Sequence, residues 1–150
     1  MSGVNGSGNA AHESHIAALL AGAFDSIRAE MSARPLPGLR PSHYRVMSLV
    51  PGSGLRLSEL ADRAGITRAG IGQFMKYLEK LEYVTLTADP SDSRAKIVRL
   101  TASGRAAVEH SLRVLADTEL GWSAALGAER YQELRRSLYE VSQLAQRARA

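Results

Sequence analysis

The stretch from Thr67 to Glu82 combines basic, amide and very small side chains in a helical pattern. Wound at about 100° per residue, it places on one side a set of apolar residues that must face a core: Ile71, Phe74, Met75, Leu78 and Leu81. The other side carries small, amide and basic residues: Ala69, Gly72, Gln73, Lys76 and Lys80, with Arg68 on the flank. A face without bulky side chains can enter the major groove of a DNA duplex, which is about 12 Å wide.

The polar groups on this face have natural partners in a duplex. Gln73 can bond an adenine edge through its donor and acceptor together, Arg68 can reach a guanine or a phosphate, and Lys76 can reach a phosphate. Ala69 and Gly72 would permit close approach and contact with thymine methyl groups. These residues therefore predict a helix that reads bases.

The start of this helix and its glycines add to that prediction. Thr67 begins the helix, and the free amides of the first turn predict an additional site for a backbone phosphate. The alternative interpretation is a solvated surface helix, on which Lys and Gln are ordinary. Gly70 and Gly72 argue against it, because each costs about 1 kcal/mol relative to alanine in a helix interior.

A second candidate segment, Asp92-Ser93-Arg94, lies in a turn-rich loop over residues 88–95. The loop joins two alternating stretches, residues 83–87 and 96–100, which predicts a β-hairpin. Asp92 can hold the guanidinium of Arg94 in a fixed direction through a charge-assisted bond. A pre-aimed arginine suits a narrow, negative minor groove. Alone this is an ordinary exposed turn; directly after a basic helix it indicates DNA contact.

The apolar spacing and the breakers predict the order helix, helix, strand, helix, helix, hairpin, helix, helix. Four residues suit helix caps: Ser42, Ser58 and Thr101 at helix starts, and Gly65, left-handed, at a helix end. A short helix, a tight turn, a second helix and a hairpin describe a winged helix-turn-helix lobe over residues 42–100. The predicted fold class is mainly α, with a small β-hairpin wing and a helical dimerisation region.

The segments outside this lobe predict a dimer. We expect residues 1–10 to be a disordered tail and residues 11–150 to form one domain, with amphipathic helices over 11–34 and 101–148 and a break near Gly121. Their apolar stripes are more than one small lobe covers. Pairing two chains across a two-fold axis would bury the stripes and set two reading helices about 34 Å apart. The alternative is a monomeric helical bundle.

Composition and motifs exclude several other kinds of functional site. The 150 residues carry a net charge of +4 and no cysteine, which excludes disulfides, thiolate metal sites and catalytic thiols. We find no Ser/His/Asp spacing, phosphate-binding loop or apolar carboxylate pair, so we expect neither an enzyme nor a cofactor. His12 and His15 could share a helical face, but two ligands are too few for a metal site. We expect a cytoplasmic protein, without a membrane span.

The sequence resembles the MarR-type (multiple antibiotic resistance) regulators over roughly residues 11 to 147. The residues that carry the resemblance are Leu57–Ala61, Leu78–Val84, Asp89–Lys96 and Leu100–Gly104. The Asp-x-Arg pattern followed by Leu-Thr-x-x-Gly is its most diagnostic part. The resemblance implies a winged helix-turn-helix that binds DNA as a dimer formed by the outer helices, with Asp92 and Arg94 in the wing roles given above.

Members of this family often respond to small aromatic or anionic ligands, bound between the dimer helices and the DNA lobe. By resemblance, the ligand candidates in this chain are His43, Tyr44 and Arg45. We expect Tyr44 to belong to the core, and His43 and Arg45 to lie on the surface.

The chain departs from the family pattern at two places. Glu82 stands where the family usually has glycine, so it must either adopt a left-handed conformation or let the helix end differently. Gly70, Gly72 and Gln73 stand where Ser, Thr and Arg are frequent, which leaves the operator sequence open.

The function that the sequence predicts is a sequence-specific DNA-binding transcription regulator. We expect a repressor that acts as a homodimer on a palindromic operator and is released by a small ligand. The alternative is a winged-helix interaction module whose basic helix binds an acidic protein.

Overall fold

The computed structural model describes residues 15–147, apart from the side chains of residues 145 and 146. Its helices are α1 (Ile16–Ala33), α2 (Pro41–Met47), α3 (Leu57–Ala64), α4 (Arg68–Lys80), α5 (Ala102–Leu126) and α6 (Ala128–Arg147). Its strands are β1 (Leu55–Arg56), β2 (Val84–Asp89) and β3 (Asp92–Leu100). This is the predicted fold class and element order. The predicted tail and the predicted first turn of α1 lie outside the described residues.

The three strands form an antiparallel sheet in the order β1-β3-β2. Leu55 and Leu86 both stand opposite Val98, so the central strand is paired on both sides. The hairpin is confirmed, but the predicted loop over residues 88–95 is wrong, because strand pairing continues to Asp89 opposite Asp92. This end of the hairpin is largely exposed and polar, so it lacks the alternation that marks a half-buried strand.

The core of the lobe is mainly aliphatic. Its fully buried side chains come from helices and sheet alike: Met47, Leu60, Ile71, Met75, Leu78, Val84 and Val98. Of the five apolar residues predicted for the inner face of α4, three are in this set, while Phe74 and Leu81 are half-buried against it.

Two of the predicted caps are wrong. α2 begins at Pro41 rather than after Ser42, and Arg40 is its N-cap residue. Proline suits the first helical position because its missing N–H would have had no partner there. α3 begins directly after β1 at Leu57, so Ser58 lies inside its first turn. The other two are confirmed: Gly65 ends α3 at φ +67°, and Thr101 precedes α5.

The link between α4 and β2 depends on a strained residue. α4 ends at Lys80, and Glu82 follows with φ +62°, which is the left-handed alternative named above. The N–H of Tyr83 donates to the Leu78 carbonyl at 3.0 Å, which closes the helix end. The hydroxyl of Thr101 donates to the Glu82 carbonyl at 2.6 Å, so the strained link is tied to the start of α5.

The Leu-Thr-x-x-Gly segment has a packing explanation. The Oγ1 of Thr101 accepts from the amide of Gly104 at 3.0 Å, which caps α5. A Cβ at Gly104 would overlap the carbonyl oxygen of Tyr83, so only glycine lets α5 begin this close to β2. α5 then continues through Gly121, so the predicted break there is wrong.

The chain divides into two compact units, one up to Val114 and one from Leu115. The second unit contains the end of α5 and all of α6, joined by Gly127 at φ +84°. Within it, the buried Tyr131 hydroxyl donates to Glu119 at 2.6 Å. Among residues 15–147, no helix combines the length and hydropathy needed to cross a membrane.

We predict that Glu82→Gly raises the free energy of unfolding by about 1 kcal/mol, because it removes left-handed strain from a residue with a Cβ. Urea denaturation monitored by circular dichroism measures the change. Lys76→Gly is the matched control: Lys76 is exposed within α4, and glycine there should lower the free energy by about 1 kcal/mol. A similar loss in both variants would show that Glu82 is not strained.

Candidate nucleic-acid interface

The outer face of α4 is open to solvent, as predicted. Arg68, Ala69, Gln73 and Lys76 are exposed, and Gly72 is half-buried. Thr67 is the N-cap residue, and its Oγ1 accepts from the Gly70 amide at 3.1 Å. The first turn of α4 contains no acidic residue. The face is therefore cationic from its start, and apart from Arg68 at its edge it carries no bulky side chain in its first two turns.

The two glycines of α4 differ in their surroundings. A Cβ at Gly70 would lie 3.0 Å from Thr67 Oγ1 and 3.1 Å from Ile66 Cγ2, so the cap itself favours a glycine there. A Cβ at Gly72 would meet no atom within 4 Å outside its own helix backbone. Packing within the lobe therefore explains Gly70 and leaves Gly72 without an internal reason.

The wing arginine is placed differently from the prediction. Asp92 Oδ1 accepts from the backbone amide of Arg94 at 3.0 Å, so Asp92 orders the backbone rather than the guanidinium. An amide two residues ahead lies within direct reach of a short carboxylate, which makes this bond the local alternative. The guanidinium is left exposed beside a cleft of about 260 Å³ between the wing and α4. The cleft is lined by Leu57, Ser58, Arg68, Ile71, Arg94, Ala95 and Lys96.

An ion pair that the sequence analysis missed anchors the hairpin turn. The Nε of Arg56 donates to Asp89 Oδ2 at 2.6 Å, and a second guanidinium nitrogen donates to Ser91 Oγ at 3.0 Å. Asp89 Oδ1 also accepts the amide and the hydroxyl of Ser91, each at 2.8 Å. These Ser91 bonds, followed by Arg56, lower the pKa of Asp89. The Asp-Pro-Ser turn could have been read from the sequence, but its partner lies 33 residues away.

His43 is buried, so the prediction of a surface position is wrong. Only 8% of it is exposed, because its ring lies between α2 and α4. The ring centroid is 4.8 Å from Phe74, in an edge arrangement, and 5.2 Å from Tyr77. Nδ1 accepts from the backbone amide of Arg40 at 3.0 Å. Burial, and then the charge of Arg40, lower the pKa of His43. The ring borders a cleft of about 360 Å³ lined by Arg40, His43, Gly70, Gln73, Phe74 and Tyr77.

The other two ligand candidates are engaged within the lobe. Tyr44 is buried, as predicted, and its hydroxyl accepts from the Leu36 amide at 3.1 Å. Arg45 is exposed, as predicted, and its guanidinium donates to the Ala64 carbonyl at 2.9 Å. Of the three, His43 alone borders the cleft beside Gln73.

His12 lies outside the described residues. Between residues 15 and 147, no group of three or more His, Asp or Glu side chains could hold a metal ion.

Comparison with known proteins agrees with this geometry. Residues 38–95, which span α2 to the wing, match the model of the MarR family. Over these residues the chain is similar to the MarR family. No curated protein sequence matches the chain. Among solved structures it is similar to MarR (TM-score 0.76, 19% identity, 88% of this chain and 98% of that one).

Two further structures are similar, and their sequences too are distant. The S. aureus MepR-DNA complex has a TM-score of 0.71 at 16% identity over 86% of this chain and 97% of that one. The PcaV transcriptional regulator from Streptomyces coelicolor, in complex with its natural ligand, has a TM-score of 0.70 at 20% identity over 97% of this chain and 99% of that one. These similarities show that the three solved structures share the fold of this chain.

We predict that His43 makes folding sensitive to mild acid. Because the pKa of His43 is lowered in the folded chain, the unfolded chain takes up a proton more readily. The stability that the neutral ring contributes is therefore present above pH 6.5, the ordinary pKa of histidine, and is lost as the pH falls through the lower pKa of the folded chain. Urea unfolding at about pH 7.5 and about pH 5 should show a larger loss in the native chain than in His43→Gln. Gln can keep the bond to the Arg40 amide, and equal losses in both chains would contradict the prediction.

Proposed function

We propose that this chain is a cytoplasmic transcription regulator that binds double-stranded DNA, as a homodimer on a palindromic operator, and represses. The observation that carries the proposal is the outer face of α4, which is exposed and cationic and has small side chains, and which lies beside the wing. The exposed Arg94 lies on the wing side of the same surface. A helix of this kind fits a major groove while an adjacent arginine reaches the flanking minor groove. The MepR structure, a DNA complex, supports the proposal.

Gly72 adds to this support. An alanine would fit there without a clash inside the protein and would favour the helix by about 1 kcal/mol. The proposal supplies the missing reason, because a Cβ at this position would project toward the floor of the groove. Close approach to base edges is a recognised use of glycine.

Exposed apolar side chains support the homodimer. On α1 they are Ile16, Leu19, Leu20 and Phe24; on α6 they are Leu134, Leu138, Tyr139, Val141 and Leu144. Apolar patches of this extent mark interfaces. Within α6, Leu134, Leu138 and Val141 recur at spacings of four and three, the pattern of a helix that packs along one seam.

We predict that the native chain sediments as a dimer at micromolar concentration and that Leu138→Glu shifts it toward monomer, because a carboxylate on the seam would have to be desolvated. Arg136→Glu, about 160° away around α6, is the matched control and should leave the dimer intact. Sedimentation equilibrium measures the mass. A monomeric native chain would refute the homodimer.

We predict that duplexes selected from random DNA share a palindromic consensus and that affinity for them falls steeply with salt. Arg94→Ala should lower the slope of log affinity against log salt by about one, because one cation that displaces counterions from the DNA is lost, with thermal stability unchanged. Arg136→Ala removes an equal charge from α6 and should change neither. Fluorescence anisotropy measures both affinity and slope.

The same titration separates the two function classes. A chain in which Gln73, Lys76 and Arg94 can all be replaced without effect does not read DNA through this surface. Binding to an acidic protein in place of duplex DNA would favour the interaction module.

Release by a small aromatic or anionic ligand is the remaining part of the proposal. PcaV, which is similar in fold, is described with its natural ligand. Operator affinity that no such compound changes would remove this part and leave DNA binding intact.

A further inference from the structure

We infer that His43 and Arg40 contact a DNA backbone phosphate on the side of α4 away from the wing, so that the lobe holds both strands that border the major groove. This inference rests on the proposed function. It adds a binding site that the sequence analysis did not assign to DNA.

The first observation is a donor without a protein partner on a largely buried ring. The Nδ1 of His43 accepts from the Arg40 amide, so in the neutral ring the proton is on Nε2. Within residues 15–147, Nε2 has no hydrogen-bond partner, although the residue is more than nine-tenths buried. Since no buried side-chain nitrogen or oxygen among these residues lacks a partner, Nε2 has access to solvent, and the ring borders a cleft that is open to solvent.

The ring is held in place for this task. Phe74 meets it edge-on and Tyr77 lies at a tilt beside it, both from α4. The hydroxyl of Tyr77 donates to the Gly38 carbonyl at 2.8 Å, which ties α4 to the segment before α2. The N–H direction is thus set by contacts from α2 and α4 together, and little ordering remains to be done on binding.

The second observation is the position of the two clefts around α4. On a helical wheel the exposed arc begins at Arg68, passes through Lys76 and Ala69, and ends near Tyr77. The cleft beside the wing includes Arg68, at the first border, and the cleft with His43 includes Tyr77, at the other. The groove-facing residues therefore lie between two clefts.

A duplex presents a matching pattern. The major groove is bordered by one phosphate backbone on each side, about 12 Å apart. With α4 seated in the groove, the wing-side cleft, which holds Arg68, Arg94 and Lys96, faces one backbone. The cleft with Arg40 and His43 then faces the other.

The chemistry of the second cleft fits a phosphate oxygen. Its lining residues include Arg40 and His43, whose side chains carry N–H donors, and they include no carboxylate. Arg40 is exposed, and no Asp or Glu in residues 15–147 forms an ion pair with it. Gln73 shares the cleft, so a phosphate held there adjoins the base that Gln73 would read.

The test uses the full chain, the selected duplex and two variants. Arg40→Ala should lower the log–log salt slope by about one and weaken specific and random duplexes alike, since a phosphate contact carries no base information. His43→Phe keeps a ring against Phe74 and Tyr77 and removes the Nε2 donor, so affinity should fall roughly fivefold. Circular dichroism confirms that each variant is folded.

Single methylphosphonate substitutions in the duplex locate the contact. A neutral phosphate that weakens the native chain but not Arg40→Ala marks the position of Arg40. The position found in the same way with Arg68→Ala, which alters the wing-side cleft, should lie on the opposite strand. Positions on the same strand would overturn the inference.

The remaining outcomes separate this inference from the proposed function. Unchanged affinity and slope in the Arg40 and His43 variants, with a clear loss in Arg94→Ala, would overturn the inference and leave DNA binding standing. A native chain that binds no duplex would refute the proposed function itself. Benzoate serves as the probe for a small aromatic anion. If benzoate binding requires His43 while DNA affinity does not, the cleft belongs to such a ligand, and the inference is overturned.

Discussion

The packing of one side of α4 into the lobe decides the direction of the other side. Ile71, Met75 and Leu78 have no exposed surface, and their spacing follows the helical period. Turning α4 far enough to bury Gln73 or Lys76 would bring these three side chains into water, at about 1.5–3 kcal/mol each. Because the rotation of the helix is set by its own core, the cationic face does not depend on a partner for its orientation.

The wing takes its position chiefly from polar bonds and backbone conformation. The left-handed Glu82 turns the chain from α4 into β2, and the hydroxyl of Thr101 ties that turn to the start of α5. At the far end, the Arg56–Asp89 pair holds the hairpin turn against the end of β1. The buried Val98 connects both ends through the sheet. Arg94 is therefore presented by a hairpin held at its base and near its tip.

Local signals were good predictors of this structure. The apolar spacing of residues 67–82 gave the correct inner and outer sides of α4, because the helical period alone decides which residues share a face. Thr67 and Gly65 were recognised as the start and the end of helices because both roles depend on the conformation of a single residue and its nearest neighbours. Predictions failed where two local signals competed. Ser42 suits a helix start, but Pro41 beside it suits the first helical position better.

What the sequence by itself determined is the set of elements and the side of α4 that faces outward, since both follow from patterns within a few residues. Only the tertiary structure decided that His43 lies between Phe74 and Tyr77, that Arg56 pairs with Asp89, and that two clefts border the exposed arc of α4. These contacts join residues about thirty positions apart. No helical or strand period extends over such a distance, so side-chain partners of this kind become defined only when the lobe closes around its core.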